Sequence, residues 1–190
     1  MQITLTAMNN LAVSYSELGR HEEALTLEEQ VYKLRKRILG AEHPDTLTAM
    51  NNLAVSYREL GRHEEALALT EHVYGLRKRV QGAEHPDTLT AMNNLAVSYS
   101  ELGRHEEALA LTEQVYALRK RILGSEHPDT LTAMNNLAYT YAALGRYEEA
   151  FSLMQHVYEV RCRTLGKDHK LTQKACTRME EYRQHPTTGE

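Results

Sequence analysis

Residues 43–84 read HPDTLTAMNNLAVSYRELGRHEEALALTEHVYGLRKRVQGAE, and the spacing of their apolar side chains decides the fold. Leu47, Met50, Leu53, Ala54, Tyr57 and Leu60 step by three, three, one, three and three, which sets them on one face at 3.6 residues per turn. A helix therefore opens at Pro44, where a missing N–H costs nothing, with Asp45 in the first turn facing the positive end of the dipole. It stops at Gly61, which accepts the left-handed backbone. A second helix follows at once. Ala66, Leu69, Val73, Leu76 and Val80 step three, four, three, four, and Leu67 and Tyr74 widen the stripe. Glu64 and Glu65 in its first turn and Arg77, Lys78 and Arg79 in its last suit the dipole, and Gly82 closes it.

The same unit recurs. Gly19, Gly61, Gly103 and Gly145 share one spacing with Asn10, Asn52, Asn94 and Asn136 and with Pro44, Pro86 and Pro128, a period of 42 residues. The repeats are 1–42, 43–84, 85–126 and 127–168, and the second and third differ at six positions. A hairpin with this much apolar surface cannot bury it alone, so the hairpins are expected to stack into a right-handed α-solenoid, all-α throughout. The segment LTQKACTRMEEYRQ is read as a capping helix over about 169–184, laying Ala175, Met179 and Tyr182 on the last hairpin and turning Arg178, Glu180, Glu181 and Arg183 to water. Residues 1–184 thus form a single domain and 185–190 a disordered tail.

Composition closes off several classes of function. Lys and Arg number 22 against 26 Asp and Glu, a net charge of −4, which argues against nucleic-acid or anionic-membrane binding through bulk charge. No apolar run is long enough for a membrane span or a signal-peptide core. Two cysteines without CxxC spacing are too few for a disulfide scaffold or a zinc site, so the chain reads as a reduced, cytoplasmic protein. Cys176 takes the place of Met50 and reads as core, and Cys162 replaces Lys78 and reads as exposed. Most of the ten histidines recur with the repeat, and His43, His85, His127 and His169 stand where a helix-capping role explains them. Adjacent repeats lie too far apart for their histidines to share an ion, and no HExxH, P-loop, GxGxxG or Ser/His/Asp arrangement occurs. No catalysis, cofactor or metal is expected.

The run L-A-x-x-Y-x-x-L-G-R-x-E-E-A, carried by Leu53, Ala54, Tyr57, Gly61 and Ala66, resembles the tetratricopeptide repeat (TPR). The 42-residue period, the segment TLTAMNNLA and the HPDT junction look like the kinesin light chain type, which is similar to nearly identical arrays of fungal NB-ARC/NACHT-associated and bacterial proteins. The resemblance implies four such repeats plus a cap, and a protein-binding scaffold. The chain departs from the family at Glu28, Thr70, Thr112 and Met154, where a larger aromatic is usual.

On the helical wheel, Thr48, Asn52, Val55 and Glu59 point away from the first helix's apolar stripe, with Asn51 and Arg58 flanking them. The ladder recurs as Thr6, Asn10, Val13 and Glu17, as Thr90, Asn94, Val97 and Glu101, and as Thr132, Asn136, Tyr139 and Ala143. The resemblance implies that these rungs line a concave groove. Two adjacent asparagines in mid-helix cost helix propensity, so something should offset that cost. An amide offers donors and an acceptor to the backbone of an extended peptide; alternatively, Asn51 and Asn93 bond to a neighbouring repeat and set its register. The candidate groove comprises Asn10, Asn52, Asn94, Asn136, Asn51, Asn93, Val55, Val97, Tyr139, Arg58, Glu59 and Glu101.

Thr, Asn and Val stand where a carboxylate clamp for chaperone tails would need cations, and Glu17, Glu59 and Glu101 make one edge acidic, so a neutral or mildly basic protein or peptide partner is expected. The triplets Arg35-Lys36-Arg37, Arg77-Lys78-Arg79 and Arg119-Lys120-Arg121 lack interleaved aromatics and read as helix ends rather than a nucleic-acid stripe. The alternative function is self-assembly. No hairpin precedes the first helix, whose Leu5, Met8 and Ala12 are expected to form an uncovered edge that could pair with a second copy in a homodimer.

Overall fold

The computed structural model describes residues 2–185, with side chains from residue 5 onward. Most of the tail read as disordered, 185–190, therefore lies outside the described residues. Among those residues every element is helical: α1 (Gln2–Glu17), α2 (His21–Leu39), α3 (Pro44–Glu59), α4 (His63–Gln81), α5 (Pro86–Glu101), α6 (His105–Leu123), α7 (Pro128–Ala143), α8 (Tyr147–Leu165) and α9 (Lys170–Arg183). They fall into two compact units, Met1–Leu102 with α1 to α5 and Gly103–Glu190 with α6 to α9. In the first unit each helix packs on the next from α1 through α5, and in the second likewise from α6 through α9. The tandem helical repeats are those the sequence period predicts.

Both turns of the repeat follow from named residues. After α3, Gly61 adopts φ 72°, Arg62 N–H donates to Tyr57 O at 2.8 Å and Gly61 N–H to Arg58 O at 2.9 Å, the paired bonds of a Schellman ending. The residue beyond the glycine normally makes an apolar contact back onto the helix; here the Arg62 guanidinium lies 4.3 Å from the centre of the Tyr57 ring. It also binds Glu65 and holds that carboxyl below the usual carboxylate range. One arginine thus closes one helix and opens the next. At the other turn, the His43 ring Nδ1 accepts the Asp45 N–H at 3.2 Å, and His85, His127 and His169 repeat the bond at 3.1–3.2 Å. These histidines cap helices, as their positions predict.

The core follows the apolar stripes. Leu47, Met50, Leu53 and Ala54 of α3 and Ala66, Leu67 and Val73 of α4 are all buried. In the second unit Ala175 and Tyr182 of α9 join Met134, Met154 and Val157, and Met179 packs alongside, the seat expected of the capping helix. Arg178 departs from expectation: instead of facing water it donates to Asn135 Oδ1 at 3.0 Å. The thiols depart as well. Cys176 is half-buried rather than core, and Cys162 half-buried rather than exposed.

The open face of α1 is not the one the wheel indicates. Leu5 and Ala12, expected at an uncovered edge, are 6% and 0% exposed, and Met8 is half-buried. Among the described residues, the large apolar side chains left uncovered here are Leu11 and Val13 of α1, at 46% and 45%, and Leu18 just past its end, at 72%. Leu11 occupies the position of Leu53 and Leu95, which are buried in α3 and α5 because another hairpin precedes those helices. Leu5 instead lines a pocket together with Arg35 and Leu39 of α2.

One buried charge interrupts the pattern. Thr70 of α4, 2% exposed, donates to its own helix at Ala66 O (3.1 Å) and Leu67 O (3.0 Å) and meets Ser98 Oγ at 3.3 Å. The equivalent residue of α2 is Glu28, 6% exposed. Its Oε2 has no hydrogen-bond partner, and burial pushes the carboxyl above its ordinary range, with neighbouring Ser56 opposing the shift and Glu59 adding to it.

Two predictions follow from this packing. Leu53→Ala should cost ~2–5 kcal/mol in denaturant unfolding by leaving a cavity, whereas Leu11→Ala, the same residue of an exposed copy, should cost under ~1 kcal/mol. For Glu28, the folded state holds the proton more tightly than the unfolded chain, so its contribution is favourable below the unfolded pKa and is lost as pH rises through the folded one. Glu28→Thr should therefore stabilise the chain by ~1–3 kcal/mol at neutral pH, with the gain shrinking as pH falls toward about 4. Thermal melts across that pH range check it.

Candidate functional site

The rung residues occupy one side of α1, α3 and α5 in the first unit. Thr48 and Thr90 are exposed, each hydroxyl donating to the carbonyl four residues back, Pro44 and Pro86, at 3.0 Å. Asn51, Asn52, Asn93, Asn94, Val55 and Val97 are half-buried, while Asn10 and Val13 are exposed. The amides bond between successive repeats: Asn52 Nδ2 donates to Asn9 Oδ1 at 3.0 Å and Asn94 Nδ2 to Asn51 Oδ1 at 2.6 Å. The second asparagine of each pair therefore reaches the first of the preceding repeat, and the pairs tie α1 to α3 and α3 to α5. Each amide keeps further capacity, because one N–H and one carbonyl oxygen account for only part of its four hydrogen-bonding positions.

The edge of this surface is less charged than its sequence indicates. Glu59 accepts from Ser16 Oγ at 2.5 Å and lies 3.0 Å from His21 Nδ1. Glu101 lies 3.6 Å from Arg58 Nε and 3.4 Å from His63 Nδ1. Arg58, expected as a groove-edge cation, is thus spent on the next helix, and Glu59 and Glu101 are engaged by groups from α1 to α4. At the first rung Leu5, Thr6, Asn10, Arg35, Leu39 and Asp45 border a pocket of about 530 Å³.

In the second unit Asn136 and Tyr139 lie on α7, Asn136 half-buried and Tyr139 56% exposed. Asn135 Nδ2 approaches Asn136 Oδ1 at 3.4 Å, and Asn135 Oδ1 accepts from Arg178, which replaces the asparagine of the other repeats.

The basic triplets are occupied. In the first unit Arg35 and Arg77 each donate through Nη1 to the carbonyl of Asp45 and Asp87 at 2.9 Å; in the second, Arg119 and Arg161 donate to Asp129 and Leu171 at 3.0 and 3.2 Å. Arg77 and Arg119 are buried, and desolvation pushes the Arg119 guanidinium below its ordinary value. Lys36, Lys78 and Lys120 stand 5.6–5.7 Å over the rings of Tyr32, Tyr74 and Tyr116. Arg79 pairs with Glu42 and Arg163 with Glu126, both at 2.5 Å. Sequence reasoning placed the triplets at helix ends but missed that the first arginine of each binds the following helix. Its partner is a backbone carbonyl, which leaves no trace in the sequence. The link from Asn52 to Asn9 did leave one, an asparagine pair displaced by one residue more than the period.

Among the described residues no group of three or more His, Cys, Asp or Glu side chains could hold a metal ion, and no helix is long and apolar enough to cross a membrane. The surface can offer amide and hydroxyl hydrogen bonds beside small apolar side chains.

Comparisons with known proteins agree with this architecture. The tetratricopeptide repeat family matches residues 3–79, 54–121 and 87–163. No curated protein matches the chain. Among solved structures, the kinesin light chain nearly identical TPR-like repeats of Podosopora anserina are similar to it at 32% identity, covering 96% of this chain and 86% of that one, with a TM-score of 0.81. A variant of the same protein gives 0.82 at the same identity and coverage. The BtubC (BKLC) structure of P. vanneervenii, 22% identical over 85% of this chain and 65% of that one with a TM-score of 0.73, shares the fold. Repeat period, helix-closing chemistry and these likenesses lead to one conclusion: the chain belongs to the tetratricopeptide repeat family, in the kinesin light chain-like form of its all-helical solenoid.

Proposed function

We propose that the protein is a non-catalytic scaffold that binds an extended segment of a partner protein along the rung face of its first helices. TPR proteins mediate protein–protein interaction, and the finer assignment is to Asn10, Asn52, Asn94, Val55 and Val97 in the first unit and, separately, to Asn136 and Tyr139 in the second. The observation that carries it is the pocket of about 530 Å³ bordered by Thr6 and Asn10. There the rung face is concave, and an exposed amide stands near exposed Val13. The amides between repeats keep free hydrogen-bonding positions that match a peptide backbone regardless of its side chains. Arg58 is engaged by Glu101 and Arg35 by the Asp45 carbonyl, and among the described rung residues no cation cluster stands ready to grip a terminal carboxylate, so the reading favours a neutral or mildly basic segment.

The test uses a displayed library of unstructured peptides, with selected binders measured on wild type and on Asn10→Ala/Val13→Ser. Both residues are exposed, so the core is untouched. Affinity should fall at least about tenfold, ~1.4 kcal/mol, with helicity and Tm unchanged. Equal affinity for the variant would remove the rung face from the mechanism.

Exposed Leu11 of α1 and Leu18 just past its end favour a second reading, self-assembly through this open surface. Light scattering at rising concentration checks it: a mass that grows toward a dimer and returns to monomer in Leu11→Ser/Leu18→Ser supports the reading, and a constant monomer mass removes it.

A further inference from the structure

Residues 4–25 and 88–109 are identical, so α1 and α5 carry the same side chains, yet one face is closed in α5 and open in α1. Ala91, Leu95 and Ser98 of α5 are buried, as are Ala49, Leu53 and Ser56 of α3, whereas Ala7, Leu11 and Ser14 of α1 are all exposed. The preceding hairpin, α3 and α4, meets that face in α5. Val73 of α4 shares a buried cluster with Ala91, and the Thr70 hydroxyl lies 3.3 Å from Ser98 Oγ. The polar positions differ in the same way. Asn94 donates to Asn51 of α3, and Glu101 lies 3.6 Å from Arg58 Nε and 3.4 Å from His63 Nδ1. One repeat earlier Asn52 donates to Asn9, and Glu59 meets Ser16 and His21. In α1 the corresponding Asn10 is exposed rather than half-buried, and the corresponding Glu17 has no ion-pair partner among the described residues.

We propose that this surface of α1 is a docking site for a helical hairpin of the same repeat type supplied by another protein, bound as α3 and α4 bind α5. The chain itself specifies the partner's chemistry. Its second helix carries a threonine and a valine three residues apart, as Thr70 and Val73 do, to cover Ser14, Leu11 and Ala7. Its first helix carries a mid-helix asparagine to accept from Asn10, and its turn an arginine and a histidine to meet Glu17. Within this chain each second helix already packs against the helix that follows, α2 on α3, α4 on α5, α6 on α7 and α8 on α9. An identical copy therefore has no such face to give, and the fitting partner ends on an uncapped repeat. The proposal rests on the open surface behind the self-assembly reading and names a different occupant for it.

The probe is a synthetic peptide of residues 43–84, titrated into the full chain and followed by circular dichroism and sedimentation. Alone, a single hairpin leaves its stripes uncovered and stays largely unfolded, so docking registers as helicity above the sum of the two components. The gain should saturate at one peptide per chain by about 1 mM peptide; a peptide held extended along the rungs would add no helix. Leu11→Asp, exposed in the free chain, should weaken docking at least about tenfold with the chain's own helicity and Tm unchanged. Glu17→Arg, which sets like charge against Arg58 of the peptide, should weaken it several-fold, and a peptide carrying Val73→Asp should give no gain. No added helicity, a gain that both chain variants leave intact, or more than one peptide per chain would overturn the proposal. A chain that dimerises by itself but ignores the peptide overturns it and leaves self-assembly standing, whereas a monomeric chain that takes up one peptide does the reverse.

Discussion

A pair of antiparallel helices has two apolar stripes to cover and a single seam of its own, so half of its apolar surface stays open until another pair arrives. That constraint accounts for most of the molecule. Val73 of α4 shares one buried cluster with Met50 of α3 and Ala91 of α5, and Leu53 is buried where Leu11, its counterpart in α1, is not. At ~25 cal/mol per Å² of apolar surface, covering a leucine is worth a few kcal/mol, more than any exposed ion pair in the chain can supply.

Apolar stripes alone would let neighbouring hairpins slide by a turn, and polar ties oppose that. The buried guanidinium of Arg77 reaches the carbonyl of Asp87, and the amide of Asn94 reaches that of Asn51. Each costs desolvation, and each is satisfied only when the adjacent repeat is in register. The asparagine pair, unfavourable for an isolated helix, thus has a structural use before any ligand is considered. The proposed peptide would draw on the capacity left over, which links recognition to the same contacts that hold the stack.

The helices, their ends and the capping histidines were legible because they depend on local chemistry: periodic apolar residues, a glycine at φ 72°, a ring nitrogen two residues from an orphan N–H. What was not legible depends on the neighbouring repeat. A helical wheel of α1 shows an apolar stripe without showing which part meets its own partner and which part a preceding hairpin, so Leu5 and Ala12 read as an open edge although both are buried. Arg58 and Glu101 read as groove charges because a sequence does not reveal that one helix end lies against the next. The rung face itself, Thr48, Asn52 and Val55, was read from the wheel, and the structure adds the bonds between rungs.

The direct measurement is the circular dichroism of residues 43–84 alone, one hairpin without neighbours, beside that of the full chain. The account predicts a largely unfolded peptide with no cooperative melt, against a helical, cooperatively melting full chain, because short helices with an uncovered stripe are marginal in water. A single hairpin that melted cooperatively with the full chain's helicity per residue would contradict it.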